Sequence, residues 1–179
     1  MVSGPTVAVP TGSLPTTITF SEGNRVAHFS NGLGSVAGAA LPSTGKWYWE
    51  QERVSGSYLM AGISTAPMGT HLHAFGCGMA IGEISVGGLY AGSNAAKYPV
   101  AGTGSGARFG FAFDAGTRTL HMYHGTVYRG SCTVSGTSTL YITALNGSSS
   151  HNSSVRAHFR PEHQSLAAPA GFTAGVPAQ

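Results

Sequence analysis

The sequence predicts an all-β protein, an antiparallel β-sandwich, and three observations carry that prediction. The stretch Gly45-Lys46-Trp47-Tyr48-Trp49-Glu50 holds both tryptophans of the chain at strand period, with a tyrosine between them. In a pleated strand alternate side chains leave opposite faces, so Trp47 and Trp49 share one face and Tyr48 takes the other. Large rings on both faces mark a strand covered on both sides, near the centre of a packed sheet. The second observation is the strict alternation of Arg108–Phe113, with Phe109, Phe111 and Phe113 on one face and Gly110 and Ala112 on the other. The third is composition. Glycine makes up 27 of 179 residues, and 8% are charged against about 25% in an average soluble domain. Short apolar runs between Gly-rich turns, with no helical period, point to stacked sheets.

Taken in order, residues 1–16 carry Pro5, Pro10 and Pro15 and read as an extended arm. Thr17–Phe20 and Arg25–Phe29 are candidate strands around Glu22-Gly23-Asn24, and Asn31-Gly32 signals a tight turn. Gly34–Thr44 is small and irregular. The aromatic strand, 46–54, turns polar at Glu50-Gln51-Glu52-Arg53 and is expected to run out to the rim there. Tyr58–Ile63 follows. Thr65–Gly78 reads as a long loop, with Met79–Ile84, Gly88–Ala91 and Tyr98–Ala101 as weaker strands. Asp114-Ala115-Gly116-Thr117 is a turn in which Asp114 accepts from the backbone two residues on. Thr119–Tyr123 returns with Leu120 and Met122 inward, making a hairpin. Val127–Thr133, Leu140–Ala144 and Ser154–Phe159 complete the sandwich, 17–166. Residues 167–179 form an Ala/Gly/Pro-rich tail. The expected core contains Trp47, Tyr48, Trp49, Phe109, Phe111, Phe113, Leu120 and Phe159.

The net charge of +3 rests on scattered Lys and Arg rather than a basic run, which argues against nucleic-acid binding. Cys77 and Cys132, the two cysteines, do not make a disulfide framework and are expected as buried free thiols. The N-terminus lacks a basic region followed by an apolar run, and no stretch approaches the roughly 18 apolar residues of a membrane span. The expectation is a soluble chain made in a cytoplasm, without membrane insertion. Arms of this composition are ordered only when tied down, and a neighbouring subunit is the expected holder of both.

Catalytic constellations are scarce. Glycoside hydrolysis needs two carboxylates about 5–10 Å apart; of six acids, Asp114 is committed to a turn and Glu50 and Glu52 to a strand end. A Ser-His-Asp triad has one aspartate to draw on and no Gly-x-Ser-x-Gly elbow. His71 and His73, with His121, His124 and the cysteines, lack zinc spacing, so no metal is expected. Gly102-Thr103-Gly104-Ser105-Gly106 lacks the lysine of a phosphate loop. No enzyme and no cofactor are expected. Histidine, tyrosine and arginine in loops leave a binding surface as the reading, since Tyr and Arg concentrate interface energy.

The order of motifs resembles SPRY domains. Gly45–Glu50 is similar to the G-K-W-Y-[FW]-E strand of that family, Gly110–Leu120 to its G-[VI]-A-x-D hairpin, Val155–Phe159 to its closing V-x-x-N-F-G strand, and Pro169-Ala170-Gly171-Phe172 to the P-x-G-[FY] that follows. The match covers roughly 20–172. Phe29-Ser30-Asn31-Gly32 before the aromatic strand resembles the "LSNG"-type opening of phage and bacterial members. His158 stands for the usual Asn, Arg160 for the usual Gly, and His124-Gly125 for the usual Asn-Gly turn. The resemblance implies a concanavalin A-like, jelly-roll sandwich and a non-enzymatic binding module. Its candidate contact residues are His71, His73 and Phe75, then Tyr90 and Tyr98, then His124, Tyr128 and Arg129. It further implies a bacteriophage virion protein, a capsid decoration or tail-fibre accessory present in many copies, that contacts other virion proteins or a host surface protein or glycan. A free-standing adaptor for a short peptide and a lectin-like module are the alternatives.

Overall fold

The fold is that of a computed structural model, which describes residues 17–30, 34–65, 77–81, 89–91, 104–147 and 150–177; for residues 17, 80 and 89–91 it describes backbone alone. Among the described residues there are thirteen strands: β1 Thr17–Ser21, β2 Val26–Ser30, β3 Gly34–Ala40, β4 Lys46–Ser55, β5 Leu59–Ser64, β6 Cys77–Ala80, β7 Leu89–Ala91, β8 Arg108–Asp114, β9 Thr119–His124, β10 Val127–Thr133, β11 Tyr141–Asn146, β12 Ser153–His158 and β13 Thr173–Ala174. They form two sheets. The larger runs β1-β2-β12-β4-β8-β9-β10, with β13 alongside β4, and the smaller runs β3-β11-β5-β6-β7. Every pairing is antiparallel except β13 with β4. This is the expected sandwich, with β4 at the middle of the larger sheet.

The core lies between the inner faces. Trp49, Phe109, Phe111, Leu120 and Met122 are fully buried from the larger sheet, facing Ile63, Met79 and Ile142 of the smaller. Phe159 packs at its margin. Trp47 shares the face of Trp49 but is half-buried near the strand's start, where its indole N–H donates to the Thr44 carbonyl at 2.8 Å. Tyr48 faces the other way and is equally covered, so both faces of β4 are buried as the ring pattern required. The Asp114 turn forms as read: Oδ1 accepts from the Gly116 N–H at 2.9 Å.

Three expectations are corrected. Gly34–Ala40 is a strand; its small side chains have little β preference of their own, and pairing with β11 supplies the order. The aromatic strand spans Lys46–Ser55, close to the expected 46–54, but its polar end does not run out to the rim: Glu50, Gln51 and Arg53 are all buried. Polar residues stay inside when partners are built around them, and those partners lie far off in sequence. Cys77 and Cys132 are not free thiols but a disulfide, with Cα atoms 5.9 Å apart. Topology brings β6, in the smaller sheet, against β10, at the edge of the larger, 55 residues later in the chain.

The C-terminal segment also has a nearer holder than a neighbouring subunit. Thr173 and Ala174 pair with Trp47 and Tyr48, and the Gly175 N–H donates to the Tyr48 carbonyl at 2.8 Å. Residues 1–16 lie outside the described residues.

Candidate binding surface

Alternation places Tyr48, Glu50 and Glu52 of β4 on the outer face of the larger sheet, beside Gly110 and Ala112 of β8. Tyr48 lies flat over Gly110: a Cβ there would come within 2.5 Å of the Tyr48 hydroxyl oxygen and 2.9 Å of its ring. Glycine therefore makes room for the ring. Burial, followed by the nearby Glu50 charge, pushes the Tyr48 phenol well above its ordinary pKa.

Glu50 is fully buried and saturated. Its carboxylate accepts from Arg108 Nη1 at 2.9 Å, the Ser165 N–H at 3.0 Å and the Leu166 N–H at 2.7 Å. Glu52 binds Arg156 Nη1 and His158 Nε2, each at 2.9 Å. Arg156 reaches on to Glu22 at 2.7 Å. Burial works to raise the Glu52 pKa, but hydrogen bonds from His158 and Arg156 outweigh it and hold the carboxyl below its usual range. Burial likewise holds the His158 imidazole below its ordinary pKa. Glu50 fastens the C-terminal segment across the sheet, and Glu52 ties β12 to β4. With every oxygen of Glu50 engaged, it has no lone pair to offer as a general base. Among the described residues no three His, Cys, Asp or Glu converge as metal ligands. No helix among them is long and apolar enough to cross a membrane.

Beyond β8 the outer face becomes aromatic. On β9, Leu120 and Met122 go inward, so His121 and Tyr123 go outward. Tyr128 of β10 stands directly opposite Tyr123, ring centroids 5.4 Å apart, and 6.2 Å from His121. Phe172 meets His121 edge-on at 5.9 Å, and Lys46 Nζ sits 5.8 Å above the Phe172 ring. Val127 and Tyr128 are the exposed large apolar side chains among the described residues, each 52% exposed. Among the described residues β10 is the last strand of the larger sheet, and the strip lies along it.

Among solved structures, the SPRY domain of human HERC1 matches with a TM-score of 0.64 at 16% identity, over 79% of this chain and 91% of that one. The chain has the SPRY fold. The TRIM65 PSpry domain matches at 0.58 and 14% identity, over 78% of this chain and 84% of that one. Stonustoxin matches at 0.60 and 18%, over 84% of this chain but 26% of its own. No family model and no curated protein matches the sequence.

Within the SPRY fold the motifs fall on β4, the β8–β9 hairpin and β12. Pro169–Phe172 closes a turn, the Phe172 N–H donating to the Pro169 carbonyl at 3.0 Å, and so delivers the Phe172 ring to His121. Of the contact residues expected from sequence, His71, His73, Phe75 and Tyr98 lie outside the described residues, as does the side chain of Tyr90 on β7. The remaining three are brought to one place, the start of β10, with different roles. Tyr128 is outward and exposed. His124 turns inward and stacks on Phe109 at 5.0 Å, and burial, with Arg129 nearby, lowers its pKa. Arg129 is the extra residue of a bulge between Tyr128 and Gly130. His121, Tyr123 and Phe172 were not named as contacts. The alternation of β9 signalled the first two; nothing local signalled that Phe172 joins them.

Proposed function

We propose that this chain is a non-catalytic binding module of a bacteriophage virion. Its SPRY-fold sandwich presents the His121–Tyr123–Tyr128–Phe172 strip to a protein partner, and its N-terminal arm attaches it to the particle. The observation that carries the binding role is the exposed Val127–Tyr128 pair on β10, the last strand of the larger sheet among the described residues, beside an outer face strapped down by the C-terminal segment. Exposed aromatic and apolar groups gathered at one place mark interaction sites rather than solvated surface. The non-catalytic reading is supported by the engagement of Glu50 and Glu52 in ion pairs. The virion placement is supported by the phage-type Phe29-Ser30-Asn31-Gly32 opening and by an arm without charge. The test is rebinding. Purified chain added to particles that lack it is expected to associate stoichiometrically, and the Tyr128→Ala chain to associate more weakly. Failure to rebind, with a folded chain, contradicts the virion role.

A further inference from the structure

A row of side chains on the inner face of the larger sheet leaves a gap. The Ala157 N–H donates to the Arg25 carbonyl at 2.8 Å, and Ala157 stands opposite Gln51. Arg25, Ala157 and Gln51 therefore lie side by side on the lead-in to β2, on β12 and on β4. Alternation puts them on the face that carries Val155 and Trp49 inward. Alanine is the short member. It leaves room between two long polar side chains whose backbones are two strand spacings apart, roughly 10 Å. Across that room the smaller sheet offers Gly38 and Ala144, which are small as well.

The space has two parts. An inner cavity of about 30 Å³ is walled by Val36, Ile142, Ala144, Val155 and the Gln51 side chain. One water needs roughly 10–15 Å³ on the same measure, so the cavity holds a small polar group with room to spare. An outer cleft of about 230 Å³ is bordered by Glu22 and Arg25 of the β1–β2 turn and by Arg160 and His163 after β12. Asn24, Arg25, Ala157 and Phe159 line both parts. The outer cleft alone exceeds the ~150 Å³ of an engineered apolar cavity that takes up benzene.

Gln51 and the rim give this space a chemistry. Gln51 is 2% exposed, and its Oε1 is buried without a hydrogen-bond partner. A buried acceptor with no donor is costly and rare in native structures. The rim is cationic. Glu22 divides its carboxylate between Arg156 at 2.7 Å and Arg25 at 3.4 Å. Arg25 gives two of a guanidinium's five donors to Glu22. Arg160 has Glu162 at 3.8 Å, both groups well exposed. Guanidinium donors are thus left over at the mouth, and a lone acceptor waits at the far end.

We propose that this cleft binds a ring-sized organic acid, with its carboxylate at Arg25 and Arg160, its ring along Ala157 and Phe159, and a hydroxyl at its far end donating to Gln51 Oε1. The planar guanidinium fork suits a carboxylate. The far-end donor is neutral, because an ammonium in that apolar cavity would be a buried charge with one neutral acceptor. The cleft opens on the inner face beside β2, whereas the aromatic strip lies on the outer face beyond β8, so the two sites are separate. The outcome here is independent of the role assigned to the strip.

The test is titration of the full chain with 4-hydroxyphenylacetate, with phenylacetate, which lacks the hydroxyl, and with 4-hydroxybenzyl alcohol, which lacks the carboxylate. Amide NMR shifts report binding and its place. The first probe is expected to bind roughly five- to tenfold more tightly than either of the others, with shifts concentrated at residues 25, 51, 157 and 160. Gln51→Leu is expected to erase its advantage over phenylacetate, and Arg160→Gln to erase most of its advantage over the alcohol. Ala157→Leu, which fills the gap, is expected to abolish binding, and melting curves check that each variant is folded. If Ala157→Leu fails to fold, the position of the shifts in wild type decides the site. No saturable binding at millimolar probe, equal affinity for the three probes, or shifts centred elsewhere overturns the proposal. Affinity that survives both Gln51→Leu and Arg160→Gln does so too.

Discussion

Trp49 and Phe111 stand directly opposite each other on β4 and β8, their rings stacked 5.6 Å apart at an interplanar angle of 14°. Neither is exposed to solvent. Trp49→Ala is expected to cost about 3–5 kcal/mol, the range for deleting a large buried ring. Trp47→Ala is expected to cost clearly less, because that ring is partly exposed already and its N–H serves a turn. Denaturant melts of the two variants decide this; equal losses would contradict the placement of Trp49 alone at the core centre.

Cys77 and Cys132 tie the smaller sheet to an edge of the larger. Closing a loop of this length stabilises a fold by up to about 4 kcal/mol in the chain-entropy model. Native protein is expected to show no thiol titratable under denaturing, non-reducing conditions, and its melting temperature is expected to drop with reductant. The Cys77→Ala/Cys132→Ala chain should match the reduced protein and ignore reductant. Two free thiols in freshly isolated protein would contradict the cross-link.

His158 gives the fold a pH dependence whose sign follows from burial. A histidine whose folded pKa is lowered binds fewer protons than it does unfolded. Stability is therefore lost as pH falls below the unfolded value of about 6.5. His124, shifted the same way, adds to the loss. The Glu52 contribution, from a lowered carboxyl, is lost only further down, below about pH 4.3. Melting temperature is expected to fall between pH 7 and 5, and His158→Asn to flatten that fall. An unchanged slope in His158→Asn would contradict the assignment.

Glu50 holds the C-terminal segment through the Ser165 and Leu166 amides. Glu50→Ala leaves the Ser165 and Leu166 amides without their acceptor, while Arg108 keeps Glu52 at 3.3 Å; a donor left unsatisfied generally costs about 1–3 kcal/mol. Hydrogen exchange supplies the local readout. The amides of 165 and 166 should lose protection ahead of those in β8, and their continued protection would show that the segment is held by something else.

The strands were legible where alternation was strong. Arg108–Phe113 declared its inner face through three phenylalanines, and Trp47-Tyr48-Trp49 declared a strand covered twice. Gly34–Ala40 was not legible, because glycine, alanine and serine mark neither face and the strand exists through its pairing with β11. The polar end of β4 misled for a physical reason. Glu50 is matched by Arg108 and by backbone amides more than a hundred residues away, and neither charge advertises the other. The disulfide was hidden likewise, since only the stacking of β6 of the smaller sheet against β10 of the larger brings its cysteines together. In the candidate surface, Tyr128 could be named from sequence; that it joins Tyr123, His121 and Phe172 is a product of register and of one C-terminal turn.

The most direct test of a binding module that works through the β9–β10 face is photo-cross-linking in assembled particles. A benzophenone-bearing phenylalanine replaces Tyr128 in the full chain, with the same residue at exposed Ser105 as control. Mass spectrometry of irradiated particles is expected to find covalent adducts from position 128 to a virion protein or a second copy of this chain, and few from 105. Particles without the chain, or particles in which position 128 forms no adduct, would contradict the account.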